Sequence, residues 1–300
     1  MPSVKTVEER KLGVFAQKVE DYKLLVKLRL SLTVVFSSVM AYLIAAAEPV
    51  DWRAIVILAT GGFLVTGAAN ALNQVLEKDF DRLMKRTANR PLASGRMSVS
   101  EAVMAAGFMS LIGISLLALF NPWTAFLGTI ALMSYAFLYT PVKRVSPAAV
   151  VIGAIPGALP TLIGCAAAQG GITVLALTLF TLQFLWQFPH FLSIGWLGHE
   201  DYSKAGYKML PVDENGAPHK VVGKQAVAYA AFLLPVSVLP YLLHLCGWLS
   251  MAVVMLLSIA YLVFARRFAV NFNRKTALQL MFFSFAYIPL ALIALFVDKL

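Results

Sequence analysis

Asn73-Gln74-Val75-Leu76-Glu77-Lys78-Asp79-Phe80-Asp81-Arg82-Leu83-Met84-Lys85-Arg86-Thr87-Ala88-Asn89-Arg90-Pro91-Leu92-Ala93-Ser94-Gly95-Arg96 is a dense patch of both charge signs set between apolar flanks. Its acids are Glu77, Asp79 and Asp81, and its bases are Lys78, Arg82, Lys85, Arg86, Arg90 and Arg96. Asn73, Glu77 and Asp81 are spaced i, i+4, i+8, so a helix continuing through them projects all three oxygen-bearing side chains from one face. Hard divalent cations such as magnesium take carboxylate and amide oxygens and keep positions for phosphate, while neighbouring Arg and Lys neutralise the remaining phosphate charge. The guest these residues suit is a magnesium-bound diphosphate. The competing reading is a basic juxtamembrane loop whose acids pair only with its own bases. Membrane orientation needs no carboxylates, which favours the ligand reading.

The surrounding chain is a membrane protein. Of its 300 residues 60% are hydrophobic and 13% charged, and the mean hydropathy of +0.77 lies far outside the range of a soluble domain. A net charge of +10 would suit a nucleic-acid partner, but the bases follow the membrane instead, so no nucleic acid is expected. Cys165 and Cys246 lie in or beside apolar segments without metal-ligand spacing and read as small core residues. The first ten residues lack an apolar h-region and carry too many acids for a transit peptide. A cell (plasma or inner) membrane is therefore expected, not an imported mitochondrial location.

Residues 1–29 form a charged leader in which Val14, Phe15, Val19, Tyr22, Leu25 and Val26 recur at helical spacing, predicting an amphipathic helix at the membrane surface or a solvated one. Residues 30–300 read as a single intramembrane domain. Windows of about 20 apolar residues predict nine spans, near 30–47, 54–74, 99–119, 122–140, 148–168, 171–195, 222–243, 246–265 and 278–297. On this count 23 of the 25 Lys and Arg fall on alternate connections, leaving Arg53 and Lys299 on the other side. The positive-inside bias then predicts a cytoplasmic amino terminus, an outside carboxyl terminus and cytoplasmic active-site loops.

Prolines interrupt the later spans at Pro156, Pro160, Pro189, Pro235, Pro240 and Pro289. Each removes a donor and bends its helix, which is tolerated at membrane depth where neighbours or a cavity satisfy the freed carbonyls. The expected fold is all-α, nine kinked helices around a central cavity. Gly153, Ala154, Gly157, Ala158 and Gly164 allow either close helix approach or room for a ligand.

A second polar cluster lies between spans six and seven: Trp186-Gln187-Phe188-Pro189-His190-Phe191, then His199-Glu200-Asp201-Tyr202-Ser203-Lys204-Ala205-Gly206-Tyr207-Lys208-Met209-Leu210-Pro211. By the topology it emerges on the same face as Asn73–Arg96, so the two clusters can close over one anion. Lys143 and Arg144 add a third basic point there. Gln187 and His190 lie about one turn apart inside an apolar helix, where polar groups need partners or ligands. A structural hydrogen bond is the commoner role for such a histidine, and His199 also has a plain surface reading.

Asn73 through Leu92 resembles the first aspartate-rich motif of the UbiA-type intramembrane prenyltransferases. The form Asp201-Tyr202-x-x-Ala205-Gly206-x-x-Met209-Leu210-Pro211 is similar to that of the haem-farnesylating members, where most others carry a second Asp-rich motif. The resemblance includes Tyr139-Thr140 with Lys143-Arg144, the series Gly153, Gly157-Ala158, Pro160, Gly164, the Trp186 and Pro189-His190-Phe191 segment, and Phe283-Ser284 with Asp298. It covers nearly the whole chain. Glu77 departs from it, standing where Asp is usual, and Leu28 follows Lys27 where Pro is common.

The resemblance implies that farnesyl diphosphate donates its chain to a vinyl group of haem B, with water adding a hydroxyl and diphosphate leaving. It implies magnesium held by Asn73, Glu77, Asp81 and Asp201, with Asp79 as a further ligand. Arg82, Lys85, Arg86, Arg90, Lys143, Arg144 and Lys204 become candidates for the diphosphate charge, and His190 and His199 for haem. Expected partners are the two substrates, the lipid bilayer and, downstream, a haem A synthase or terminal oxidase assembly. A relative acting on a quinone precursor or another aromatic or tetrapyrrole acceptor would share the first motif but show an Asp-rich second one. A lipid-head-group phosphotransferase would show a different Asp-Gly and Ala-Arg pattern. A secondary transporter would explain broken helices, but predicts repeated halves and midplane acids, and here the acids gather at one face.

Overall fold

The computed structural model describes residues 4–300. Among them, nine helices are long and apolar enough to cross a membrane. α1 (Val4–Leu25) precedes the first span, α2 (Leu28–Ala45). α3 (Trp52–Asp81) and α4 (Val99–Ala118) follow; the fourth span comprises α5 (Pro122–Met133), a π-helical turn over Ser134–Tyr139 and the short α6 (Thr140–Val142). Then come α7 (Ala149–Gln169), α8 (Val174–Leu197), the short α9 (His199–Lys204), α10 (Val221–Leu242), α11 (Trp248–Asn271) and α12 (Arg274–Val297). The spans fall where the apolar windows place them. The largest difference is at α3, which runs seven residues past its predicted end to Asp81 and so carries the acidic stripe on a continuous helix.

Caps explain several starts. Asp51, Ser98, Asn121, Thr173 and Asn273 each accept a hydrogen bond from a backbone N–H in the first turn of the following helix, satisfying donors that lipid could not. α7 is the most enclosed span, and its small residues serve close packing, not ligand room. A Cβ at Gly164 would meet the α2 backbone at Ser38, and one at Gly153 the Tyr139 ring at 2.6 Å. Pro156 and Pro160 lie within α7, and two buried amides from α8 bond carbonyls beside them. Gln183 donates to Gly157 O at 2.9 Å and Gln187 to Ala154 O at 3.0 Å. The two amides satisfy their own donors in a layer without water and tie α8 to the kinked α7.

The leader helix is tied to the bundle. Arg96 Nε donates to the buried carboxylate of Asp21 at 2.8 Å, and Lys18 Nζ to Glu101 at 2.9 Å. Gln74 caps the end of α1 by donating to Leu24 O and Leu25 O. Leu25 and Val26 are buried while Phe15, Val19 and Tyr22 are exposed; the side chain of Val14 lies outside the described residues.

Candidate active site

The end of α3 presents Asn73, Glu77 and Asp81 on one face, each at least 97% buried. Each meets a cation from a different part of the chain. Lys27 Nζ donates to Asn73 Oδ1 at 2.8 Å, Lys143 pairs with Glu77, and Arg90 Nη1 bonds both oxygens of Asp81 at 2.7 and 2.9 Å. Carboxylates removed from water require such partners. Asn73 also donates to Thr140 Oγ1 at 3.0 Å, joining α3 to α6.

Lys27 is held in an unusual way. It occupies the left-handed region, φ 49°, between α1 and α2, a conformation that costs a non-glycine residue energy and clusters at functional sites. Burial, with the Arg90 and Lys143 cations nearby, pushes its ammonium well below the ordinary lysine range. A site that crowds three cations around two carboxylates and an amide suits an additional anion. The π-helical turn in the fourth span brings Tyr135 and Tyr139 to the same place, with Tyr135 Oη at 3.4 Å from Lys27 Nζ and Lys143 Nζ 4.8 Å from the Tyr139 ring centroid. Such turns recur at functional sites because they shift the side-chain register of a helix.

The second cluster closes onto the first. Met84, Ala205 and Tyr207 form a small buried core flanked by Phe80, Tyr202 and Met209, and Lys208 N donates to Lys143 O at 2.8 Å. Arg86 donates to Tyr202 Oη at 3.1 Å. Tyr207 lies beside Lys143, whose Nζ is 5.6 Å from its ring centroid. Burial, then the Glu77 and Asp81 charges, push its phenol pKa up, so it stays a neutral hydroxyl beside the acids.

The remaining candidates divide. Asp79 is exposed and pairs only with Arg82 at 3.4 Å; two residues from Glu77 or Asp81 is about 200° around a helix, so it faces away from the stripe. Among the described residues no group of three or more His, Cys, Asp or Glu side chains is gathered as a metal cage. Asp201 is half-buried. Arg82 is committed to Ala93 O at 2.7 Å, and Arg144 to Leu76 O at 2.5 Å with its guanidinium 3.8 Å from the Phe80 ring centroid. Both brace the loops. Lys85 and Arg86 are exposed, and Lys204 pairs with Glu200 at 2.6 Å.

The two histidines are separated. His190 is buried in α8, its Nδ1 2.7 Å from Ser284 Oγ on α12, stacked on Trp186 and edge-on to Phe285. His199 sits on the surface, with Nε2 2.9 Å from Gly216 O. The sequence pattern marks Lys27 only as a base of the leader and assigns Thr140 and Tyr207 no role. Lys27's signal is its place as the last lysine before the first span.

Residues 34–286 match the UbiA prenyltransferase family. The chain belongs to that family. It is 41% identical over 286 residues to the protoheme IX farnesyltransferase of Cytophaga hutchinsonii, covering 95% of this chain and 99% of the relative. It is 36% identical over 296 residues to the protoheme IX farnesyltransferase of Koribacter versatilis, with 95% and 94% covered. Among solved structures, a digeranylgeranylglyceryl phosphate synthase superposes with a TM-score of 0.78 at 21% identity, covering 94% of this chain and 98% of that one. A UbiA homolog from Archaeoglobus fulgidus bound to GPP and Mg2+ does so at 0.66 and 17% identity, covering 92% and 99%. These likenesses establish the UbiA fold for all nine spans and leave the transporter and phosphotransferase readings without support.

Proposed function

We propose that this UbiA-family enzyme transfers the farnesyl group of farnesyl diphosphate to a vinyl group of haem B, water adding a hydroxyl, to give haem O and diphosphate. The carrying observation is the near-full-length identity to curated protoheme IX farnesyltransferases, joined to a buried acid stripe in which every oxygen ligand faces a cation. A quinone-precursor acceptor has no comparable support.

Asn73, Glu77 and Asp81 offer an all-oxygen donor set on one helix face, and Asp201 is the further carboxylate that the second cluster can contribute; this chemistry fits magnesium. When bound, the metal neutralises charge on the departing diphosphate. Lys27, Lys143 and Arg90 then turn from the acids to phosphate oxygens, and Lys85, Arg86 and Lys204 supply an outer positive rim. Tyr207 and its hydrophobic neighbours close the loops and keep water from the allylic cation-like fragment. His190, whose ring is fixed by Ser284, is the better candidate to face haem; His199 is engaged with its own loop. The acid stripe and both loops face the cytoplasm of a cell membrane, the side that the basic connections mark.

The test is to express the chain in cells lacking farnesylated haem and weigh the extracted membrane haems. The expected product is heavier than haem B by one farnesyl group plus water. If only haem B is found while purified protein consumes a prenyl diphosphate with magnesium, the acceptor assignment is overturned and the donor half stands.

A further inference from the structure

An open groove of about 800 Å3 lies between α11 and α12, lined by Phe264, Leu278, Phe282, Phe283, Arg274 and Lys275 among others. Its floor is apolar and largely aromatic, and its two cations sit together in the first turn of α12. Neither cation has an acidic partner within 4 Å among the described residues. α12 begins at the same end of the bundle as the acid stripe finishes, because six spans, an even number, separate the end of α3 from the start of α12. The groove is therefore on the active-site side.

Two routes of contact connect the groove to His190. Phe282 meets Phe285 edge-on at 6.3 Å between centroids, and Phe285 meets the His190 ring at 5.2 Å. On the second route Phe283 packs on Tyr261 at 5.8 Å, Tyr261 Oη donates to Trp186 O at 3.0 Å, and Trp186 stacks on His190 at 5.1 Å. A ligand with a wide flat apolar body and anionic groups at one edge matches this arrangement: phenyl rings receive the flat face, and Arg274 and Lys275 receive the charges. The volume falls within the range of about 300–1,000 Å3 of pockets for ligands of that size.

We infer that the α11–α12 groove docks the acceptor, a planar tetrapyrrole dicarboxylate, with Arg274 and Lys275 pairing its carboxylates and Phe264, Phe282 and Phe283 receiving its ring. This rests on the acceptor reading given above. Two adjacent cations suit two carboxylates. Three rings within one groove suit a flat face better than they suit flexible acyl chains.

The experiment is an absorbance titration of the full-length protein, in nanodiscs of neutral lipid, with haem B and with its dimethyl ester. The double variant Arg274→Gln/Lys275→Gln is expected to bind haem B about tenfold more weakly than wild type. The dimethyl ester, lacking both charges, is expected to bind wild type and double variant alike, and Arg274→Lys/Lys275→Arg to restore haem B affinity. All four substitutions are at exposed positions, so the fold is preserved. Unchanged haem B affinity in the double variant overturns the groove assignment. So does an equal loss for the ester, which would mean a general disturbance. Native mass spectrometry in nanodiscs containing phosphatidylglycerol provides a further arm. If the double variant sheds bound phosphatidylglycerol while haem B affinity holds, the groove is a lipid-headgroup site and the proposal falls. Failure of wild type to bind haem B at all would overturn the acceptor reading itself, and is distinguishable from failure of the groove alone.

Discussion

The two polar clusters at the active-site end are built in opposite ways. In the first, Asn73, Glu77 and Asp81 are buried on a rigid helix and each is met by a base from elsewhere in the chain, Lys27, Lys143 or Arg90. In the second, Glu200 and Lys204 are exposed and pair with each other, and what enters the interior is Ala205, Tyr207 and Leu210. Charge sequestered from water interacts strongly with an arriving phosphate, while exposed charge is screened. The first cluster is thus the chemical half of the site. The second is mainly its cover, with Asp201 its one carboxylate half out of solvent.

This contrast can be broken by substitution. The largest effect is expected for Asp81→Ala, which leaves Arg90 unpaired and removes a proposed metal ligand: transfer should fall by about 10³-fold or more, with inserted protein still detected by membrane fractionation. Retained transfer would remove the metal role from the stripe. Chelation by EDTA should mimic it, with magnesium restoring turnover in a radiolabelled prenyl-transfer assay. Next comes Asp201→Asn, expected to lower kcat by roughly 10²-fold; a loss matching that of Asp81→Ala would make the second cluster an equal chemical partner. Glu77→Asp should cost less than about tenfold, because a carboxylate within reach of Lys143 is kept and only a methylene is lost. Complete inactivity there would show that the longer side chain is required. The smallest effect is expected for Asp79→Ala, within about twofold, since an exposed pair such as Asp79–Arg82 contributes little. A large loss would mean that Asp79 turns inward when substrate binds.

Much of the molecule is legible in the sequence. Nine spans follow from the cost of leaving backbone and charge in lipid, a constraint strong enough to be read from windows of composition. The i, i+4, i+8 stripe is legible because helical geometry is local, and α3 does continue through Asp81. Asp79 shows the limit of reading by residue type: it is an acid in the right motif on the wrong face. Arg82 and Arg144 show another, since a base near a phosphate site can equally serve a backbone carbonyl.

The sequence by itself determined the helical membrane architecture, the stripe and the family, because each depends on local periodicity or on the solvent that a segment must face. Tertiary structure alone decided which cation meets which acid. Lys27, 46 residues from Asn73 in the chain, reaches it through a left-handed turn; Lys143 reaches Glu77 from the span that carries the π-helical turn; and Tyr207 arrives with the second loop. Those pairings depend on where separate helices end in space, and no pattern along the chain encodes them.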